Sequence, residues 1–323
     1  MTSEFDLIRQ HFTRATTHTD LAVGDDGALL RVAPGMQLVV STDMLVAGTH
    51  FLPDADPADI GWKTAAVNIS DMAAMAAQPR WITLALALPA AEVDWVARFA
   101  EGFAACCAAF NVDWIGGDTT RGPLNLCATV FGEVPVGRAV LRSGGSAGDD
   151  IWVSGQPGLA ALGLQALLGQ RELAGEARTS CLAALLRPQP RVALGLALRS
   201  VATAMLDVSD GLLGDLQHIL ERSGCGAQLE EVALPLAPVL AACGDAQAAR
   251  DALLRGGDDY ELLFCTPSTQ RDTLQALSDK LALPLSRIGC LVEGEGIVLC
   301  RQDGSREALA GRGYDHFGKP GGN

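Results

Sequence analysis

Residues 36–44 read MQLVVSTDM, and residues 57–78 read PADIGWKTAAVNISDMAAMAAQ. The first stretch carries a strand signal, and the second, rich in Ala and Met, carries that of a long helix. Working outward, a strand is expected at Trp81–Leu88, a helix at Ala91–Phe110 and a strand at Leu124–Val134. Beyond these lie a strand at Ile151–Ser154, helices near Leu159–Leu168, Pro190–Ala202 and Asp210–Ser223, and strands near Gly226–Val232 and Tyr260–Thr266. Helix and strand alternate over the whole length, so the fold class is α/β in the mixed, α+β sense. The segment Gly137–Asp150 (GRAVLRSGGSAGDD) interrupts both periodicities and divides the chain into residues 1–138 and 139–323.

The chain has 323 residues, 38 acidic against 24 basic side chains and a net charge of -14. A cationic footprint for nucleic acid or a membrane surface is therefore missing. The start, MTSEFDLIRQHFTR, has no apolar signal region, and no run of about 18 apolar residues occurs. The expectation is a soluble, cytoplasmic protein. Nine Cys without a C-x-x-C pair, two of them adjacent at Cys106 and Cys107, read as reduced core thiols.

Of the acids, 25 are Asp, and they recur beside Gly, Ser or Thr: Gly24-Asp25-Asp26-Gly27, Ser41-Thr42-Asp43, Gly116-Gly117-Asp118-Thr119-Thr120, Asp207-Val208-Ser209-Asp210-Gly211 and Gly256-Gly257-Asp258-Asp259. Each alone reads first as a turn or a helix cap. Asp71 is more informative, because it sits in the small, apolar helical segment Ala66–Met75. A carboxylate there costs several kcal/mol unless it is paired or bound to a cation. Pairing with Lys63 is the plain alternative to metal ligation. Carboxylate and hydroxyl oxygens without a Cys/His cluster suit hard cations, Mg²⁺ first, with phosphate oxygens as co-ligands.

The chain has no G-x-x-x-x-G-K-[ST] loop, no H-R-D or D-F-G, and no G-x-G-x-x-G after a strand. An ordinary Walker-type ATPase or protein kinase is thereby disfavoured. The Gly-rich backbones of Gly116–Gly122 and Gly144–Gly148 remain for phosphate, with Arg121 and Arg142 as bidentate partners. His50, soon after the Ser-Thr-Asp strand end, is placed to face the same cleft.

Ser41-Thr42-Asp43-Met44-Leu45-Val46, Ala66-Val67-Asn68-Ile69-Ser70-Asp71, Ile115–Gly122, Asp207–Leu212 and Gly313-Tyr314-Asp315-His316-Phe317 together resemble the thiamine-monophosphate kinase family. The likeness runs in order from Gly24 to Phe317, and the wider superfamily includes aminoimidazole ribonucleotide synthetase and selenophosphate synthetase. The resemblance implies a two-domain aminoimidazole ribonucleotide synthetase-like fold. It also implies a homodimer whose amino-terminal domains build a shared β-barrel-like core, and ATP in a cleft between domains. It further implies that Asp26, Ser41, Thr42, Asp43, Asp71, Asp118, Asp207 and Asp210 hold several Mg²⁺ ions. Gly117, Asp118, Arg142 and Ser209 would hold ATP, and His50, Asp258 and Tyr314 the thiamine phosphate. The family usually has Glu where this chain has Asp258.

The activity so implied is in-line transfer of the ATP γ-phosphoryl group onto thiamine monophosphate, with no covalent nucleophile. Catalysis then consists of positioning and cation clamping. A metal-dependent phosphohydrolase, a superfamily enzyme with another acceptor and a non-catalytic cation-binding protein are the alternatives.

Overall fold

The computed structural model describes residues 8–311 and 313. By its own contacts the chain forms two units. One runs to Ala139 and takes in Leu186–Arg199; the other holds Val140–Leu185 and the chain from Ser200 onward.

The first unit opens with a short antiparallel pair, β1 (Thr19–Leu21) and β2 (Leu29–Leu30). Its main sheet has the order β3-β6-β4-β5, built from β3 (Met36–Val46), β4 (Gln78–Leu88), β5 (Asp113–Arg121) and β6 (Asn125–Pro135). β6 runs antiparallel to β3 and β4, and β4 runs parallel to β5. Helices α1 (Pro57–Ala74) and α2 (Val93–Ala109) lie between these strands in the chain. Asp56 starts α1: its carboxylate accepts the Ala58 N–H at 2.8 Å, with Pro57 pre-set at the first position. Thirteen of the eighteen α1 residues are buried, which explains why the segment reads as small and apolar on nearly every face. The two helices touch so closely that a Cβ on Gly102 would lie 1.8 Å from the Ala58 carbonyl oxygen.

Fully buried Trp81, Phe99, Phe103, Ile69, Met72 and Leu126 fill the core of this unit. Phe103 packs on Trp114 with ring centroids 4.6 Å apart. Along β3 the side chains alternate: Val39 and Leu45 are buried, whereas Leu38, Val40 and Met44 are 43%, 52% and 53% exposed. The sheet therefore presents an open apolar face on the side away from its buried one.

In the second unit α3 (Leu159–Leu167) and α4 (Gly175–Leu186) follow β7 (Asp150–Ser154), after which α5 (Val192–Leu198) packs against α1 in the first unit. That return is fastened at both ends. The Trp62 indole N–H donates to the Pro188 carbonyl at 2.9 Å, and the Arg199 guanidinium donates twice to the Ala76 carbonyl just past α1.

The second unit then adds β8 (Ala204–Asp207), α6 (Leu212–Ser223), β9 (Gly226–Glu230), α7 (Leu236–Cys243), α8 (Ala246–Arg255), β10 (Leu262–Thr266), α9 (Arg271–Leu281), β11 (Leu285–Val292), β12 (Ile297–Cys300) and β13 (Arg306–Leu309). Its seven strands take the order β13-β12-β9-β11-β7-β10-β8, antiparallel except for β12 on β9. Ile151, Val153, Leu206, Leu263 and Ile288 of the sheet join Leu216 and Leu253 of the helices in one core. Asp150 is buried in the sheet yet ionised. Burial pushes its carboxyl up, but the guanidiniums of Arg271 (2.6 and 2.7 Å) and Arg287 (2.8 Å) outweigh this and hold it below the usual carboxylate range.

Among the described residues no helix is long and apolar enough to cross a membrane. All nine cysteines are free, and burial pushes the Cys106 and Cys107 thiols far up, so neither is a thiolate nucleophile.

Candidate active site

Each unit carries its own group of acids. In the first, β3 turns Ser41 and Asp43 toward α1 by the same alternation that buries Val39 and Leu45. The Ser41 hydroxyl donates to the Asp71 carboxylate at 2.5 Å, so strand and helix meet through two of the expected metal ligands. One helical turn before Asp71, the fully buried Asn68 amide accepts the Asp43 N–H at 3.0 Å. Its own NH₂ donates to the Thr64 carbonyl at 3.0 Å, which fixes which way the amide points. Lys63, 4% exposed on the same helix, donates to the His50 carbonyl at 3.4 Å.

His50 itself folds back on the end of β3. Its N–H donates to the Val46 carbonyl, and its Nδ1 accepts the Val46 N–H, both at 3.0 Å. An accepting Nδ1 carries no proton, so the neutral ring is the Nε2–H tautomer.

Three expected ligands stand elsewhere in this unit. Thr42 points to the opposite face of β3, where its hydroxyl lies 2.9 Å from that of Thr129. Asp26 lies exposed in a turn, its N–H on the Asp25 carboxylate at 2.9 Å. Asp118 is exposed on β5, the far edge of the sheet. The ladder runs Asp43, Ala128, Leu84, Gly117 across four strands, so three strand spacings, about 14 Å, separate the backbone at Asp43 from that at Gly117. Gly116–Gly122 is thus mostly strand and not a free phosphate loop. At Gly117 the backbone has φ +156°, and a Cβ there would lie 1.8 Å from the Leu84 carbonyl oxygen.

In the second unit the acids gather where β8 gives way to α6. Asp207 ends the strand and is 7% exposed. The next residues are tied on both sides. The Val208 N–H donates to the Glu261 carbonyl, while the Val208 and Ser209 carbonyls accept the Tyr260 and Asp258 N–H groups, all at 2.8 Å. One oxygen of Asp215, buried on α6, accepts the N–H groups of Ser209 and Asp210, each at 3.0 Å. Burial pushes the Asp215 carboxyl up to about 7; the charge of Asp210 adds to this, and the two N–H bonds and Arg142 oppose it. Arg142 is exposed, with its carbonyl accepting the Ser223 hydroxyl at 3.3 Å.

Asp258 and Tyr260 adopt left-handed backbone, φ +67° and +50°. Asp tolerates that region better than a longer side chain, so this position suits the shorter acid. The Tyr260 hydroxyl lies 3.3 Å from the Asp258 carboxylate. Asp259 accepts the Gly158 N–H at the start of α3 on both oxygens, and burial pushes its carboxyl far up.

Tyr314 lies outside the described residues. Among the described residues no three His, Cys, Asp or Glu side chains converge into a metal cage. The donors that do meet are oxygens, which fit Mg²⁺ completed by phosphate and water better than a closed zinc site. Asn68 and Asp259 stand in the quoted motifs without a role of their own, and Asp215 stands in none of them.

Residues 24–134 match the AIR synthase related protein, N-terminal domain, and residues 146–300 the corresponding C-terminal domain. The thiamine-monophosphate kinase of Salmonella typhimurium is 43% identical over 98% of this chain and 99% of that protein. The solved structure of thiamine-monophosphate kinase from Stenotrophomonas maltophilia K279a superimposes with a TM-score of 0.83 at 47% identity, over 89% of this chain and 92% of that one. That of AaThiL complexed with AMPPCP and TMP gives 0.77 at 30% identity, over 92% of each chain. With both domain families matched in order and full-length identity at this level, the chain belongs to the thiamine-monophosphate kinases within the AIR synthase related family.

Proposed function

We propose that this protein transfers the γ-phosphoryl group of ATP to the phosphate of thiamine monophosphate, giving thiamine diphosphate and ADP. The observation that carries this reading is the full-length similarity to thiamine-monophosphate kinases, including AaThiL complexed with AMPPCP and TMP. An oxygen of the acceptor phosphate forms the new bond to the γ-phosphorus, and the bond from that phosphorus to the β,γ-bridging oxygen breaks, leaving the electron pair on ADP. A phosphomonoester has its second pKa at about 6, so the acceptor is ionised near neutral pH and no general base is required.

The obstacle is repulsion between two anions, and several Mg²⁺ ions, when bound, would supply the offsetting charge. Ser41, Asp43 and Asp71 on β3 and α1, with Asp26, Thr42, Asp118, Asp207 and Asp210, would hold these cations, directly or through water. Gly117, Arg142 and Ser209 bind ATP. His50, as an Nε2–H donor, binds thiamine phosphate together with Asp258 and Tyr314. Purified protein with Mg-ATP and thiamine monophosphate is expected to form one thiamine diphosphate and one ADP per turnover, and none without Mg²⁺. Release of inorganic phosphate from thiamine monophosphate in the absence of ATP would replace the kinase with a phosphohydrolase.

The functional state is a homodimer. Its support is the open face of β3, where Leu38, Val40 and Met44 expose an apolar stripe that a second copy would cover. The ladder adds a second reason. Asp43 and Asp118 lie on opposite edge strands, about 14 Å apart at the backbone, so one sheet does not bring the two side chains together. On the proposed closure of two sheets into one barrel, with the β3 edge of one copy beside the β5 edge of the other, Asp43 and Asp118 of different subunits would serve the same active site.

Subunits carrying Asp43→Asn and Asp118→Asn, each inactive alone, are then expected to regain about a quarter of wild-type activity when unfolded and refolded together. Random pairing makes about half the dimers mixed, and each mixed dimer has one intact site of two. No recovery in a mixture shown by mass spectrometry to contain the mixed dimer would rule the shared site out.

A further inference from the structure

The Ser209–Asp210 segment is held by a side chain that has no assigned role. Its backbone neighbours fix it from one side: the Val208 and Ser209 carbonyls and the Val208 N–H are all bonded to the 258–261 loop at 2.8 Å. The remaining N–H groups, those of Ser209 and Asp210, point the other way, into the first turn of α6. There a single oxygen of Asp215 takes both, each at 3.0 Å.

We infer that Asp215 is a positioning residue, whose buried carboxylate oxygen orients the Ser209 and Asp210 side chains toward the metal-bound nucleotide. This rests on the reading of Ser209 and Asp210 as nucleotide and metal contacts. Four observations support it. Asp215 is 4% exposed, so it is shielded from bulk solvent. Among the described residues its side-chain hydrogen bonds go to the two residues assigned to the site, and none goes to the first turn of its own helix. The chain enters α6 through Gly211 at φ +108°, a conformation that turns the two N–H groups back toward the helix. The same peptide segment is bonded to Asp258, so Asp215 also fixes the Ser209 carbonyl on which the Asp258 N–H rests.

The plainer reading is an extended helix cap, in which Asp215 only stabilises the start of α6. Two substitutions separate the readings. Asp215→Asn keeps an acceptor oxygen in place and removes the charge, while Asp215→Glu keeps the charge and displaces the oxygen by one methylene. The probe is Mg²⁺ with AMP-PCP, followed by calorimetry well below the melting temperature of each variant. The amide resonances of Ser209 and Asp210 are followed in parallel by NMR hydrogen exchange.

Positioning predicts that Asp215→Asn binds within about threefold of the wild type and keeps both amides protected. Asp215→Glu is then expected to bind about tenfold or more weakly and to lose that protection while remaining folded. Equal, wild-type-like binding by both variants would leave only a capping role and overturn the proposal. Loss in Asp215→Asn with retention in Asp215→Glu would assign the effect to charge and overturn it equally. If the wild type failed to bind Mg²⁺ with AMP-PCP at all, the kinase reading would fall. The amide protection pattern would still support or overturn the orienting role of Asp215.

Discussion

Asp71→Asn is expected to lower kcat for thiamine diphosphate formation about 10²–10³-fold, the size of effect seen when one preorganised electrostatic group is removed from a reaction centre. The substitution isolates charge. Asn has the volume of Asp, and its side-chain oxygen still accepts the Ser41 hydroxyl that lies 2.5 Å from the carboxylate. Folding stability should change little for that reason, while the attraction for a divalent cation falls. Steady-state kinetics across a Mg²⁺ series, with melting curves on the same samples, check both halves. Near-normal turnover at ordinary Mg²⁺ concentration would sink the idea that Asp71 clamps the reacting phosphates.

Gly117→Ala should fail for a different reason, and in stability as well as activity. The new methyl would lie 1.8 Å from the Leu84 carbonyl oxygen, a backbone atom that cannot swing aside. Leu84 and Gly117 are ladder partners, so β5 must pull away from β4 to make room. The cost is about 3 kcal/mol, at the upper end of overpacking effects. The loss of strand register also carries Asp118 away from its place. A drop in melting temperature on the order of 5–10 °C is expected, together with a raised KM for ATP. An unchanged melting temperature would show that β5 yields freely there, contrary to the tight parallel pairing.

The sequence made some of these elements plain and hid others for physical reasons. β3 and α1 were legible because apolar runs and an Asp-Pro start coincide with strand and helix; the strand extends to Val46 and the helix stops at Ala74. That stop gave no signal, since Ala76 takes φ +54° without the Gly that usually marks such a bend. β5 carries no strand signal, because Asp113–Arg121 contains two Gly and two Asp and Gly116–Gly122 reads as Gly-rich backbone open to phosphate. Parallel pairing with β4 overrides that composition. The helices α4, α7, α8 and α9 and the strands β1, β2, β8 and β11 to β13 have no counterpart in the sequence reading, although α8 and α9 are amphipathic at helical spacing.

At the site, the residue types were readable and their partners were not. Only the register shows that Ser41 meets Asp71 while Thr42 faces away and Asp118 lies across the sheet. Asn68 left a trace, being a polar residue three before Asp71 in the small, largely apolar segment Ala66–Met75. Asp215 left one too, since it falls between the buried Leu213 and Leu216 on the core-facing side of α6.

The return of Leu186–Arg199 to the first unit bears on the order in which a ribosome delivers the molecule. When Ala139 has emerged, the sheet, α1 and α2 have been made, yet the Trp62 indole and the Ala76 carbonyl still lack the Pro188 and Arg199 groups that bond them. Forty-six residues of the other unit must leave the tunnel before those groups arrive. The first unit is therefore first in sequence yet must wait for part of the second before it is complete, and nascent chains of intermediate length carry one side of α1 uncovered. Vectorial synthesis thus sets a window, seconds long at ordinary elongation rates of about 5–20 residues per second, in which the helix bearing Asn68 and Asp71 is the exposed part of the chain.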